Sequence, residues 1–379
     1  MDFSLSPEQE EMQRVAAEFA QAELAPIAAE LDRDARFPRA QFRQMGELGF
    51  LGLSVPEEYG GSEVDMLGGM LVGEEIARAC CGTALSWGAH AYLCAGNLAR
   101  HGSEALKRKY LPNLCSGEWI GALAITEPGA GSDAVGMRCR AKKVGNTYVL
   151  DGAKTFITNG SIADVTLVFA KTGAADSREL SVFAVEKGTP GFTVSKDFEK
   201  MGLRASPLTE LSFQECTLPA SQLIGEEGKG LALLMEWLER ERVGMGGLPL
   251  GLGRAALDAA VKYAKERHQF GVPIASFQMV KEMIADMATE LDAARFLISR
   301  AAWLIANGKR AAFEASKAKL FGAEMVMRLT SKAVQIFGGY GYTKEFPVER
   351  YMRDAKLFEI GGGTSQIQRL IIADHVLKG

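Results

Sequence analysis

The chain has 379 residues, with 43 Lys and Arg against 47 Asp and Glu, a formal charge of −4 and 47% hydrophobic residues. This balance argues against a general nucleic-acid binder, and the length supports two or three packed domains without disulfide or metal staples. The six cysteines form no CxxC pair and the four histidines have no metal-ligand spacing, so reduced, mostly buried thiols and no metal centre are expected.

The start, Met1 to Pro7, lacks the basic and apolar regions of a signal peptide, and no run of about twenty apolar residues follows. A cytoplasmic protein fits, as does a mitochondrial matrix protein with its transit peptide removed. Ser6-Pro7-Glu8-Gln9 reads as a helix start: a cap, a proline in the first turn, then an acid. Apolar residues recur at helical spacing over 67–78, 85–100 and 103–114, with breaks at Gly60-Gly61 and His101-Gly102. From about 120 the pattern changes to short β-rich runs at 147–150, 165–170, 180–185 and 211–213. Gly145-Asn146, Asp151-Gly152, Thr172-Gly173 and Pro190-Gly191 serve as turns. Longer helices return over 231–244, 253–269, 276–307 and 311–337, broken at Gly271-Val272-Pro273 and Asn307-Gly308. The expected fold is α+β: an N-terminal α-helical domain (1–119), a middle β-barrel domain (120–225) and a C-terminal four-helix bundle (226–379).

One acid stands out on helical geometry. Residues three, four and seven away from Glu241 are Leu234, Trp237, Leu238, Gly244, Met245 and Leu248, so its carboxylate lies in an apolar stripe. Glu236 and Glu239 have charged helical neighbours and read as solvated. A carboxylate among apolar groups has a raised pKa and suits proton abstraction near neutral pH. Periodicity alone leaves open a structural acid paired with an arginine across the bundle.

Six ordered motifs then carry a resemblance. They are Leu123-Ala124-Ile125-Thr126-Glu127-Pro128-Gly129-Ala130-Gly131-Ser132-Asp133; Phe156-Ile157-Thr158-Asn159-Gly160; Arg267-His268-Gln269-Phe270-Gly271; Gln335-Ile336-Phe337-Gly338-Gly339-Tyr340-Gly341; Arg353-Asp354-Ala355-Lys356; and Gly363-Thr364-Ser365-Gln366-Ile367-Gln368. Together they resemble the acyl-CoA dehydrogenases over essentially the whole chain, most nearly the isovaleryl-CoA dehydrogenase branch. The resemblance implies FAD as cofactor. Leu123, Thr126 and Thr158 would lie at the flavin, with Thr158 near N5 and Phe156 against the ring face. Ser132 would contact the pyrophosphate or the thioester. Arg267, Phe270, Gln278, Gln335, Gly338 and Gly339 would hold the nucleotide of a neighbouring subunit, and Thr364 and Gln366 would complete the site.

The usual catalytic glutamate of the last motif is missing: the run is Ile360-Gly361-Gly362-Gly363-Thr364. In the isovaleryl branch the base precedes an arginine and lies eight residues before a proline, as Glu241 does with Arg242 and Pro249. The resemblance thus implies Glu241 as base, with Glu239 and then Glu359 as weaker choices. Ser132, Glu239, Arg242, Gly361, Gly362 and Gly363 would line the substrate. Gly361, where relatives carry a tyrosine, implies room for a short branched or bulky acyl group. An electron-transfer flavoprotein as acceptor and a homotetramer are also implied. Two alternatives stay open: a dehydrogenase of carrier-protein-tethered acyl groups or an oxidase on the same scaffold, and an inactive flavoprotein binding module.

Overall fold

The computed structural model describes residues 4–174 and 177–378. The first helices are α1 (Pro7–Phe19), α2 (Ala28–Asp34), α3 (Arg39–Glu47), α4 (Met66–Ala79), α5 (Cys81–Gly88), α6 (Gly96–His101) and α7 (Glu104–Cys115). The start of α1 is a capping box: Ser6 Oγ accepts the Gln9 N–H, and the Gln9 side chain accepts the Ser6 N–H. A wider-wound turn over Ala89–Ala95 joins α5 to α6, so 81–101 runs as one continuous helical rod.

The middle of the chain forms β1 (Gly121–Ala124), β2 (Arg140–Val144), β3 (Thr147–Thr158), β4 (Val165–Lys171), β5 (Leu180–Glu186), β6 (Phe192–Val194), β7 (Leu208–Pro219) and β8 (Leu223–Ile224). They make one eight-stranded sheet in the order β6-β7-β3-β2-β4-β5-β8, with β1 added in parallel on β4. Among the described residues the ladder ends at β6 and β8, so the sheet is open, where a barrel was expected. All seven residues of β4 are buried. Val165, Leu167 and Phe169 face the helices, while Val168 and Ala170 face a second core with Phe183, Phe213 and Leu218.

Asp151-Gly152 is not the turn its composition suggested. It lies inside β3 at a register shift against β7, with Gly152 at φ 143° and Asp151 Oδ1 accepting the Glu215 N–H at 2.8 Å. The residues that favour turns also favour bulges, and here the flanking ladder decides.

The C-terminal part contains α8 (Gly230–Gly244), α9 (Gly247–Glu266), the hairpin β9 (His268–Gln269) and β10 (Val272–Pro273), then α10 (Gln278–Ala306), α11 (Ala312–Phe337), α12 (Val348–Ala355) and α13 (Ser365–Lys378). Helices α8 to α11 pack together, and α4 packs on α9, so one core includes Met70, Ile76, Leu248, Met287 and Leu329. Helix α9 starts six residues before the expected position, despite three glycines over Gly247–Gly253. A Cβ at Gly247 or Gly251 would collide with the carbonyls of Met70 or Glu74. Close approach to α4 thus outweighs poor helix propensity, and Pro249 sits in the first turn, where it needs no N–H bond. Among the described residues no helix is long and apolar enough to cross a membrane.

Candidate active site

The loop after β1 is braced from below. Leu123 pairs with Leu167 of β4, and the Thr126 carbonyl accepts the Thr155 N–H at 2.9 Å. Glu127, buried, accepts the backbone N–H groups of Arg138 and Cys139 and an Nζ–H of Lys154 at 2.8 Å. Lys154, also buried, donates to the Ile125 carbonyl at 3.0 Å. This ion pair fixes residues 125–130 against β3. Ser132 is exposed beyond it, and added Cβ atoms at Gly129 and Gly131 would meet nothing within 4 Å.

The end of β3 presents an aromatic platform. Phe156 falls at a register shift and takes φ 57°, a conformation that a bulky residue seldom adopts. Its ring is 60% exposed, with Phe198 beside it at 5.4 Å. Thr158 is half-buried and pairs with Leu208. Asn159 donates from Nδ2 to the carbonyls of Ser86 and Gly121, tying this strand end to α5 and β1. His90 is a satisfied packing residue. Its Nδ1 accepts the Gly121 N–H, so its Nε2–H donates to the Leu114 carbonyl, and burial lowers its pKa to about 4.

A second cluster forms at the end of α11. Phe270 sits in the β9–β10 turn at φ 52° with its ring 93% exposed, and Gly271 follows at φ 81°. Such a turn favours Asn or Gly at these positions, so an exposed, strained phenylalanine points to a role outside its own fold. A groove of about 470 Å³ is lined by Arg267, Gln269, Gly338, Gly339 and Tyr340, among others. The Arg267 guanidinium lies over the Tyr340 ring at 5.5 Å. Gly338 and Gly339 have open space where side chains would be, and Gln335 and Gln278 are exposed beside the groove-forming segments.

The third cluster is at the other end of α11. Leu234 and Trp237 are buried, with Trp237 edge-on to Phe169 of β4 at 5.3 Å, and Gly244 admits the Tyr92 ring. Glu241 follows Trp237 by one turn, and the apolar stripe is realised. Its carboxylate approaches Gly362: a Cβ there would lie 3.3 Å from Glu241 Oε1. Burial raises the Glu241 pKa, opposed by the charges of Arg242 and Lys319. Gly362 and Gly363 have φ 64° and 90°. Among the described residues the Gly362 N–H makes no hydrogen bond. A glutamate at 362 would compete with Glu241 for one space, which explains physically why a glycine stands there.

Other sequence candidates separate. Glu239 turns to the start of α11 and accepts the Ala311 N–H at 2.6 Å. It caps a helix where a free N–H and the helix dipole favour an anion, which corrects the reading of a solvated charge. Glu236, likewise read as solvated, pairs with Arg100 at 2.9 Å. Glu359 is held by Lys356. Thr364 caps α13, its Oγ1 accepting the Ile367 N–H at 3.2 Å, and Gln366 is exposed in the first turn. Gly361 has only ordinary contact with Leu357 where a side chain would begin. Sequence reasoning missed Lys154, Glu127, Lys319 and Gln368 as site supports: the Lys154–Glu127 and Lys319–Gly363 pairs join residues distant in the chain, and Gln368 reaches back over a left-handed glycine turn whose shape the spacing does not give.

Lys319 and Gln335 are sixteen positions apart on α11, roughly 24 Å along the axis. The residues expected to hold one nucleotide thus fall into two groups at opposite ends of a helix. The open glycine cradles and exposed rings of Phe156 and Phe270 fit a flat, phosphate-bearing ligand such as FAD.

Three family models match in order: the N-terminal domain of acyl-CoA dehydrogenase over residues 6–118, the middle domain over 122–216 and the C-terminal domain over 228–377. The mitochondrial isovaleryl-CoA dehydrogenase of Pongo abelii is 46% identical over 373 residues, covering 97% of this chain and 88% of that protein. The structure of butyryl-CoA dehydrogenase from Megasphaera elsdenii superposes with a TM-score of 0.97 at 40% identity over 100% of both chains. The FAD complex of PigA does so with a TM-score of 0.96 at 34% identity, again over 100% of both. On this fold and these matches, the chain belongs to the acyl-CoA dehydrogenase family of FAD-dependent oxidoreductases.

Proposed function

We propose that the protein dehydrogenates a short acyl-CoA, branched or bulky in the manner of isovaleryl-CoA, between its α and β carbons, with Glu241 as the base. The observation that carries this reading is the Glu241 carboxylate, held among apolar residues over a glycine turn that offers no competing acid. Leu123, Thr126, Phe156, Thr158 and Ser132 would hold the flavin end of FAD. Arg267, Phe270, Gln278, Gln335, Gly338 and Gly339 would hold the nucleotide of a neighbouring subunit, consistent with the 24 Å split along α11. Thr364 and Gln366 complete the cofactor set. FAD, when bound, supplies the two-electron acceptor for the β hydride.

Glu241 takes the α proton as the α–β double bond forms and the β hydride departs. The free N–H of Gly362 is available to the thioester carbonyl, where negative charge develops, and an oriented backbone dipole is effective in a dry site. Arg242 and the Gly361-Gly362-Gly363 run form the substrate wall, and the lack of a ring at 361 leaves room at the branch point. Electrons would pass on to an electron-transfer flavoprotein. The test is anaerobic bleaching of the bound flavin by a panel of straight, branched and cyclic acyl-CoAs. Rapid bleaching by short branched esters is expected; bleaching only by long straight chains, or by none, contradicts the reading.

A further inference from the structure

The carbonyl side of the glycine turn is clamped. Lys319 Nζ, on α11, donates to the Gly363 carbonyl. Gln368 Nε2, fully buried on α13, donates to the Gly363 carbonyl at 3.1 Å and to the Gly362 carbonyl at 3.3 Å. Arg242 Nε reaches the Gly362 carbonyl from α8 at 3.5 Å. Three side chains from three helices thus bind two adjacent carbonyls, while the Gly362 N–H on the same turn has no partner among the described residues. Both glycines are in the left-handed region, where the chain has little intrinsic preference, so the clamp decides which way the peptide units face. The same Lys319 charge acts on the carboxylate of Glu241.

We infer that Lys319 is a positioning residue for the proton abstraction: it orients the Gly362-Gly363 turn toward the thioester, and its positive charge favours the ionised form of the Glu241 carboxylate. This inference rests on Glu241 being the base. The groups that face the pair are few. Arg242 acts on Glu241 from the same helix, Glu239 acts on Arg242, and Glu359 and Glu324 act on Lys319 from the 356–359 turn and from α11. Burial lowers the Lys319 pKa to about 8, with Glu241 opposing that shift, so the ammonium is charged at neutral pH. Its role is distinct from that of the ion-paired lysines on the surface, because its hydrogen bond goes to a neutral carbonyl and leaves the charge available to the base.

The experiment compares wild-type holoenzyme with Lys319→Met, Lys319→Gln and Lys319→Arg. Two quantities are read: the acidic limb of kcat at saturating acyl-CoA, and the carboxyl stretch of Glu241 by infrared difference spectroscopy against Glu241→Gln in the absence of substrate. Loss of the positive charge should move both titrations to higher pH by about one unit, with the arginine variant restoring them. The glutamine variant keeps a donor and gives the same reading should the methionine variant fail to fold. A lowered melting temperature with both titrations unmoved overturns the positioning role and leaves Glu241 as base. Full turnover in Glu241→Gln removes the base and this inference with it.

Discussion

Two carboxylates on core helices, Glu74 of α4 and Glu241 of α8, show how one side chain can serve opposite ends. Glu74 is 0% exposed and is gripped by Arg254 and Arg295, at 2.7 and 2.6 Å. Burial opposes its ionisation, yet the hydrogen bonds and charges of the two arginines win, and its pKa is lowered. Glu241 has Arg242 and Lys319 nearby, but neither bonds to it: Arg242 and Lys319 spend their donors on the glycine carbonyls. Burial wins there, and its pKa is raised. A buried acid with bonded partners is an anchor; a half-buried one without them is a base held ready.

The largest effect should come from breaking the second member of this comparison. Glu241→Gln is expected to lower turnover by about 10³-fold, measured as the rate of anaerobic flavin bleaching by the best acyl-CoA. Stability should move the other way. A raised folded pKa means that the native state releases its proton at higher pH than the unfolded chain, so ionised Glu241 costs stability at neutral pH. The variant should therefore melt higher than wild type at neutral pH, and this advantage should shrink as pH falls through the pKa of Glu241 toward the ordinary carboxylate range.

Glu74→Gln should show the converse. Removing the anion leaves the partly buried Arg295 without its bonded carboxylate and Arg254 with Glu75 alone, with a loss of about 3 kcal/mol in chemical denaturation. Its lowered pKa means that its contribution is present above the unfolded pKa and is lost as pH falls through the folded one. Turnover per folded, flavin-bound molecule should stay within about twofold, since altering an anchor remote from the substrate leaves the chemical step alone.

Lys154→Met extends the comparison to the flavin loop. It leaves the buried Glu127 with only backbone partners, at an expected loss of about 2 kcal/mol. The loop at 125–130 then loses its brace, so flavin retention on gel filtration should fall more than the melting temperature of the apoprotein. The smallest effect is expected for Gly362→Ala, which places a side chain at φ 64° and 3.3 Å from Glu241 Oε1. A loss of about 1 kcal/mol in stability and on the order of tenfold in kcat should appear together, with substrate affinity changed little.

What the sequence disclosed follows the range of each interaction. The helical period alone placed Glu241 in the stripe of Leu234, Trp237 and Leu248, because helix geometry is local. The order of helices and strands was readable for the same reason, and the motif resemblance added the cofactor. Pairings across the fold were not readable. Nothing in the spacing tells Lys154 to meet Glu127, or brings Lys319 to the glycine turn. Asp151-Gly152 misled because a bulge and a turn ask for the same residues. The early start of α9 was hidden because its glycines are explained only by the α4 backbone lying against them.

The assignment of the base is tested most directly by proton exchange without redox chemistry. A 3-thia acyl-CoA has no β C–H to lose, so release of its α deuterium to water, followed by mass spectrometry, reports the base alone. Wild-type enzyme should wash out the α label and Glu241→Gln should leave it in place. Washout at an equal rate in both proteins would show that another group takes the proton.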